Sequence, residues 1–275
     1  MEAFDRDLET LGKCVERRTW PIEEKESYRW LKGYRLACEL AAECPNTQIV
    51  SVADRECDIY GIFVDAAQQT GTRADYMIRA QEDRSTPIPD PSAGPAAYCK
   101  IRDEVRSSPL RGTQTLHLCA TPKRAARQTT VEIRAIEVQV KPPHAGRRLP
   151  SVTHNMVLVQ EVGGPNDGTD ICWLLITTLP INTFEEVMLV VQYYFARWIV
   201  EIFFRTLKSG CRVEEIQLET KHRLLNCLAF YHIIAWRVLH LTYLNRLVPE
   251  IICTAVFTSS EWKSVWRVAK RKQLP

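Results

Sequence analysis

Thr47–Ala80 reads TQIVSVADRECDIYGIFVDAAQQTGTRADYMIRA, and this stretch decides the fold class. Thr47 to Ala53 is a short apolar run with β-branched residues, the pattern of a buried strand. Asp54 follows at once. Asp58 to Gln69 then carries Ile59, Ile62, Phe63 and Ala66 at helical spacing, and Asp75 to Ala80 returns to a strand. A strand, a helix and a second strand in that order predict a parallel pair in an α/β layer. An acidic side chain at the carboxyl end of a parallel strand faces the crevice where such sheets bind ligands. For Asp54 the plainer alternative is a helix cap.

Upstream, Ile22 to Cys44 reads as a helix, with Glu23, Glu24 and Glu26 at its positive end and Pro45 as its stop. Downstream, Pro87, Pro89, Pro91 and Pro95 mark Ser85 to Ala97 as a linker or loop. Thr115 to Cys119 and Thr129 to Val140 then alternate as strands. In the second, the apolar set moves from Val131 and Ile133 to Ile136, Val138 and Val140, which predicts a bulge. Asn155 to Val162 and Ile171 to Thr177 flank the turn signal GGPNDG. These strands together predict a mostly antiparallel β segment inserted into the α/β framework.

Thr183-x-x-Glu186 is a capping box opening a helix that runs to about Ser209, with a break expected near Tyr194. A second apolar helix covers Leu224 to Arg246. Asn226, His232, Arg237 and His240 interrupt it, which favours a buried helix over a membrane span. The 275 residues, 45% apolar and 25% charged, suit a globular chain with a real core. A net charge of +3 neither demands nor excludes a nucleic-acid partner. Ten cysteines without a CxxC pair point away from a zinc site or a secreted disulfide framework and towards a reducing, cytoplasmic compartment. The charged stretch Met1 to Arg18 does not read as a signal peptide.

The sharpest chemical signal is Tyr194 to Lys208, YFARWIVEIFFRTLK. At about 100° per residue, Tyr194, Arg197, Glu201, Arg205 and Lys208 fall within roughly an 80° arc. The rest of that helix is almost wholly apolar, so one narrow stripe holds a carboxylate among three cations. The alternative is a solvated face with i,i+4 pairs.

The spacing Tyr194-x2-Arg197-x3-Glu201-x6-Lys208 resembles the Tyr-Arg-Glu-Lys signature of the DDE transposases of the insertion-sequence-four group. Asp54-Arg55-Glu56-Cys57-Asp58 is similar to that group's Asp-Arg-Glu-Ala-Asp segment, and the resemblance runs from about Glu23 to Lys263. It implies an RNase H-like catalytic core, incomplete here, with the β insertion between its second and third carboxylates. The implied domains are residues 1–84 as the first part of the core, 85–182 as the insertion, 183–248 as the second part with the catalytic Glu helix, and 249–275 as the start of a dimerisation region. Asp54 and Glu201 would be catalytic and would hold Mg²⁺, or Mn²⁺ in its place, in carboxylate shells suited to hard cations. Arg197, Arg205 and Lys208 would hold phosphates of double-stranded DNA at the terminal inverted repeats, and Tyr194 would touch the backbone near the cleaved bond. Arg79 aligns with a DNA-contacting arginine, its alternative being an ordinary surface arginine. Trp173 aligns with a tryptophan that stacks on a flipped base, its alternative being a core residue. The basic clusters Lys123-Arg124-Ala125-Ala126-Arg127 and Arg147-Arg148 would track phosphates from insertion loops, or lie solvated.

The family also needs an Asp on a first strand, well before the helix at Glu23. Only Asp5 and Asp7 precede that helix, in the charged stretch FDRDLETLGK. A chain truncated at both ends is therefore expected, inactive in strand transfer, with Thr47–Ala53 as an unpaired strand edge. Such a protein would associate with the nucleoid and pair with itself or with a full-length transposase, and would need no membrane. A non-catalytic DNA-binding or transposase-interacting fragment that regulates transposition is the alternative. An α/β solute-binding or regulatory protein whose stripe is only structural is a third reading.

Overall fold

The computed structural model describes residues 20–88, 97–118, 125–143, 148–165 and 167–270. The chain divides into two compact units, one within Arg6–Arg197 and a second from Trp198 onward. Asp5 and Asp7, Lys123 and Arg124, Arg147, and the prolines at 89, 91 and 95 lie outside the described residues.

The first unit is mixed α/β. Helix α1 (Tyr28–Glu43) leads to strand β1 (Val50–Ala53), a 3-10 turn at Arg55–Cys57, helix α2 (Tyr60–Gln68) and strand β2 (Asp75–Arg79). β1 and β2 pair in parallel, Val50 opposite Asp75 through Ala53 opposite Ile78, as the strand–helix–strand reading requires. A two-stranded ribbon follows, β3 (Ser85–Pro87) with β4 (Tyr98–Lys100), and then α3 (Ile101–Ser107). The stretch read as a linker thus begins in a strand, and α3 carries too short an apolar pattern to be read. Strands β5 (Leu110–Leu118), β6 (Arg127–Val140), β7 (Val152–Glu161) and β8 (Cys172–Thr177) complete the sheet. Its order is β1-β2-β8-β7-β6-β5, so β8 hydrogen-bonds β2 and the later strands prolong the sheet that β1 and β2 begin. Every pairing except β1–β2 is antiparallel, and β1 forms one edge.

Period-2 alternation sorts the side chains to two faces. One face, including Tyr76, Ile78, Met156, Leu158, Leu174 and Ile176, packs against α1, α2 and α3. The opposite face, including Met77, Ile133, Val157, Val159 and Leu175, is covered by α4 (Phe184–Ala196) through Val187, Val190, Val191 and Tyr194. The same alternation corrects the expected bulge in β6. Its pairing with β7 is unbroken from Val131–Glu161 to Val140–Val152. Val131, Ile133 and Ala135 face the α4 side, whereas Val138 and Val140 face the other, because different faces are covered along its length. The irregularity lies in β5 instead, where the register shifts between Leu110 and Gly112.

The turn GGPNDG between β7 and β8 uses Gly163 at φ 64° and Gly168 at φ 82°, left-handed conformations that disfavour side chains. Beside it, the Glu161 carboxylate accepts from Arg127, from Thr129 Oγ1 at 2.6 Å and from the Ile171 amide at 2.9 Å. Arg127, placed by sequence in a phosphate-tracking loop, is therefore a clamp on the sheet end. Its guanidinium is the main cause holding the Glu161 carboxyl down at about 2.

In the second unit, α5 (Trp198–Arg205) passes into a π-turn at Thr206–Gly210, followed by α6 (Lys221–Leu247) and α7 (Ser259–Lys270). The expectation that the second apolar helix is buried is corrected: α6 forms, but only Ala235 and Leu239 in it are buried. Phe230, Ile233 and Trp236 stand 70%, 63% and 57% exposed. Apolar residues lie all around α6, so no single neighbouring surface can cover them. Phe184–Gly210 and Lys221–Leu247 are each long and apolar enough to cross a membrane by length and composition, and in the first of these α4 packs on the sheet.

Candidate functional site

Asp54 and Arg79 stand one step past the parallel register, where Ala53 lies opposite Ile78. By alternation Asp54 shares the face of Val52, and Arg79 that of Met77, the face that α4 covers. Trp173 of β8 belongs to it as well. The final turn of α4 and its C-cap supply Tyr194 and Arg197. Strand twist, alternation and one helix crossing therefore bring five sequence-predicted residues to one end of the sheet.

The contacts are specific. Arg197 Nη2 lies 3.6 Å from Asp54 Oδ2, with the Arg197 side chain 12% exposed and that of Asp54 40% exposed. Asp54 Oδ1 accepts from the Arg55 amide at 2.8 Å and caps the 3-10 turn, so the cap alternative holds alongside the ion pair. Arg79 Nη1 donates to the Tyr194 hydroxyl at 3.2 Å. The Arg197 guanidinium sits 5.7 Å from the Tyr194 ring centroid, within cation–π range. Trp173 packs against Tyr194 and Phe195 with ring centroids 5.0 and 5.4 Å apart. Tyr194, 2% exposed, is thus the hub of the cluster. Its hydroxyl is turned to Arg79, not outward to a phosphate, and Trp173 sits as a partly buried core ring.

The residues of the Tyr194–Lys208 stripe fall on the end of α4 and its cap, on α5 and on the turn that follows it. The α-helix stops at Arg197, Glu201 and Arg205 lie on α5, and Lys208 sits in the π-turn closed by the Cys211 amide on the Thr206 carbonyl at 3.0 Å. Tyr194 and Arg197 belong to the first unit; Glu201, Arg205 and Lys208, all exposed, belong to the second, where Lys208 Nζ pairs with Glu214 at 2.8 Å.

Asp58, the last residue of the Asp54–Asp58 motif, has no role assigned by the sequence pattern. Its carboxylate is fully buried and accepts from the Gln81 amide at 2.7 Å, the Glu82 amide at 2.9 Å and Arg84 Nη2 at 2.5 Å. It pins the chain just after β2 and so sets where Arg79 emerges. Its place four residues after Asp54 is the only sequence signal for it. Among the described residues no three His, Cys, Asp or Glu side chains converge to hold a metal ion. Within the first unit Asp54 is paired with the Arg197 guanidinium, and a divalent cation needs more oxygen ligands than this one carboxylate supplies. No family model matches the chain.

Proposed function

We propose that this chain is a relative of the DDE transposases of the insertion-sequence-four group, with an RNase H-like core. In this reading it engages the phosphodiester backbone of double-stranded DNA at transposon ends. The observation that supports this is the meeting of Asp54, Arg79, Tyr194 and Arg197 at the carboxyl ends of two parallel strands. Arg79 and Tyr194 are 115 residues apart in the chain. Two guanidiniums on a rigid sheet end are suited to phosphate oxygens, which they bind through paired N–H donors.

The reading assigns Asp54 and Glu201 as catalytic, metal-binding carboxylates for Mg²⁺, with Mn²⁺ as its substitute, and Arg205 and Lys208 as further phosphate contacts. Binding of a terminal-repeat duplex should weaken linearly in log salt, with a slope near 0.9 per phosphate neutralised. Arg79→Ala and Arg197→Ala should each flatten that slope by about one. Salt-independent binding, or none, would sink the proposal.

A second reading, a protein that regulates transposition by pairing with another transposase chain, is favoured by the exposed apolar residues of α6.

A further inference from the structure

We infer that Asp54 is an internal occupant of the phosphate seat on Arg197, so that carboxylate and phosphodiester compete for one guanidinium. The inference rests on the proposed DNA-binding role and adds a regulation of that same site. Arg197 is the fixed partner, since its side chain is only 12% exposed and lies against the Tyr194 ring. A guanidinium so enclosed requires an anion beside it. Asp54 is the looser partner: its side chain is 40% exposed and approaches only to 3.6 Å. That distance exceeds the 2.7–2.9 Å typical of a charge-assisted hydrogen bond, so the pair is an ion pair held at arm's length.

Asp54 also has a local partner. Its other oxygen is tied to the Arg55 amide at 2.8 Å, and that bond fixes the start of the 3-10 turn. A phosphodiester arriving from solvent has no such tether. It can approach the Arg197 guanidinium more closely than 3.6 Å and also meet Arg79, which the Tyr194 hydroxyl holds on the adjacent strand. Asp54 therefore acts against anion binding until it is displaced or its charge is cancelled. A carboxylate serving only as a metal ligand would act on metal-free DNA binding through general repulsion alone, equally with or without Arg197. The two roles separate in EDTA.

The test is equilibrium binding of a fluorescein-labelled duplex in EDTA to the wild-type chain, Asp54→Asn, Arg197→Gln and the double variant. Asp54→Asn keeps the acceptor for the Arg55 amide, and circular dichroism verifies folding. It should tighten binding by about fivefold, the scale of a partly exposed ion pair. Arg197→Gln should weaken binding, and in that background Asp54→Asn should no longer tighten it. Equal tightening in both backgrounds would reveal general charge repulsion and overturn the inference, as would no change or a loss in Asp54→Asn. Titration of the same four proteins with inorganic pyrophosphate separates the two claims. Arg197-dependent tightening for pyrophosphate without any duplex binding would reject the DNA reading and retain the ion pair as an anion gate. Binding of neither probe would overturn both.

Discussion

Two buried side chains show how the environment decides a residue's chemistry. His154, 4% exposed, lies edge-on to Phe63 at 4.8 Å, with Nδ1 3.0 Å from the Tyr76 hydroxyl. Burial, aided by the charges of Arg73 and Arg84, pulls its pKa down to about 4. The folded state thus resists a proton that the unfolded chain accepts near pH 6.5. The stability held above that value is lost as pH falls towards 4. Urea unfolding should show about 2 kcal/mol less stability at pH 5 than at pH 7, and His154→Gln should remove most of that difference. An unchanged pH dependence in the variant would place the acid sensitivity elsewhere. Tyr194 acts differently, through its neighbours: Tyr194→Phe deletes only the acceptor for Arg79 and should cost about 1 kcal/mol in the same assay.

At the scale of elements, the site is held by the segment that terminates β2 and the cap that starts α4. Asp58 collects two amides and Arg84, whose side chain is 10% exposed and whose guanidinium lies over the Phe63 ring, 5.5 Å from its centroid. Asp58→Ala leaves that guanidinium buried without its carboxylate and should destabilise the fold by about 3 kcal/mol or more, read as a lowered melting temperature. Asp58→Asn, which keeps one acceptor, should cost less. α4 starts with a complete capping box between Thr183 and Glu186. Thr183→Ala should cost about 1 kcal/mol by urea denaturation without altering the position of Arg197 at the far end. A much larger loss would mean that Thr183 contributes beyond the cap.

For the whole molecule, the division at Arg197 and Trp198 runs through the sequence signature itself, leaving Asp54 and Glu201 in separate units. The second unit carries most of the uncovered apolar surface, with Phe230, Ile233 and Trp236 on α6 and Val265 and Val268 on α7. A chain with such faces should self-associate as its concentration rises. Sedimentation velocity should detect the larger species, and the pair Phe230→Glu with Ile233→Glu should shift the distribution to monomer. A wild-type chain that stays monomeric at tens of micromolar would remove the support for a transposase-pairing protein.

Much of this was legible in the sequence because it depends on local periodicity. The run from Thr47 to Ala80 determined a parallel β1–β2 pair, and the alternation in β6 and β7 and the Thr183 cap determined where strands give way to helix. Which face each strand buries was not legible, because β6 is covered on one side along half its length and on the other side along the rest. Only the tertiary structure decided that β8 would pair with β2 and that Arg197 would reach Asp54. Those outcomes depend on packing between segments far apart in the chain, and no local pattern of residues encodes a partner at that distance.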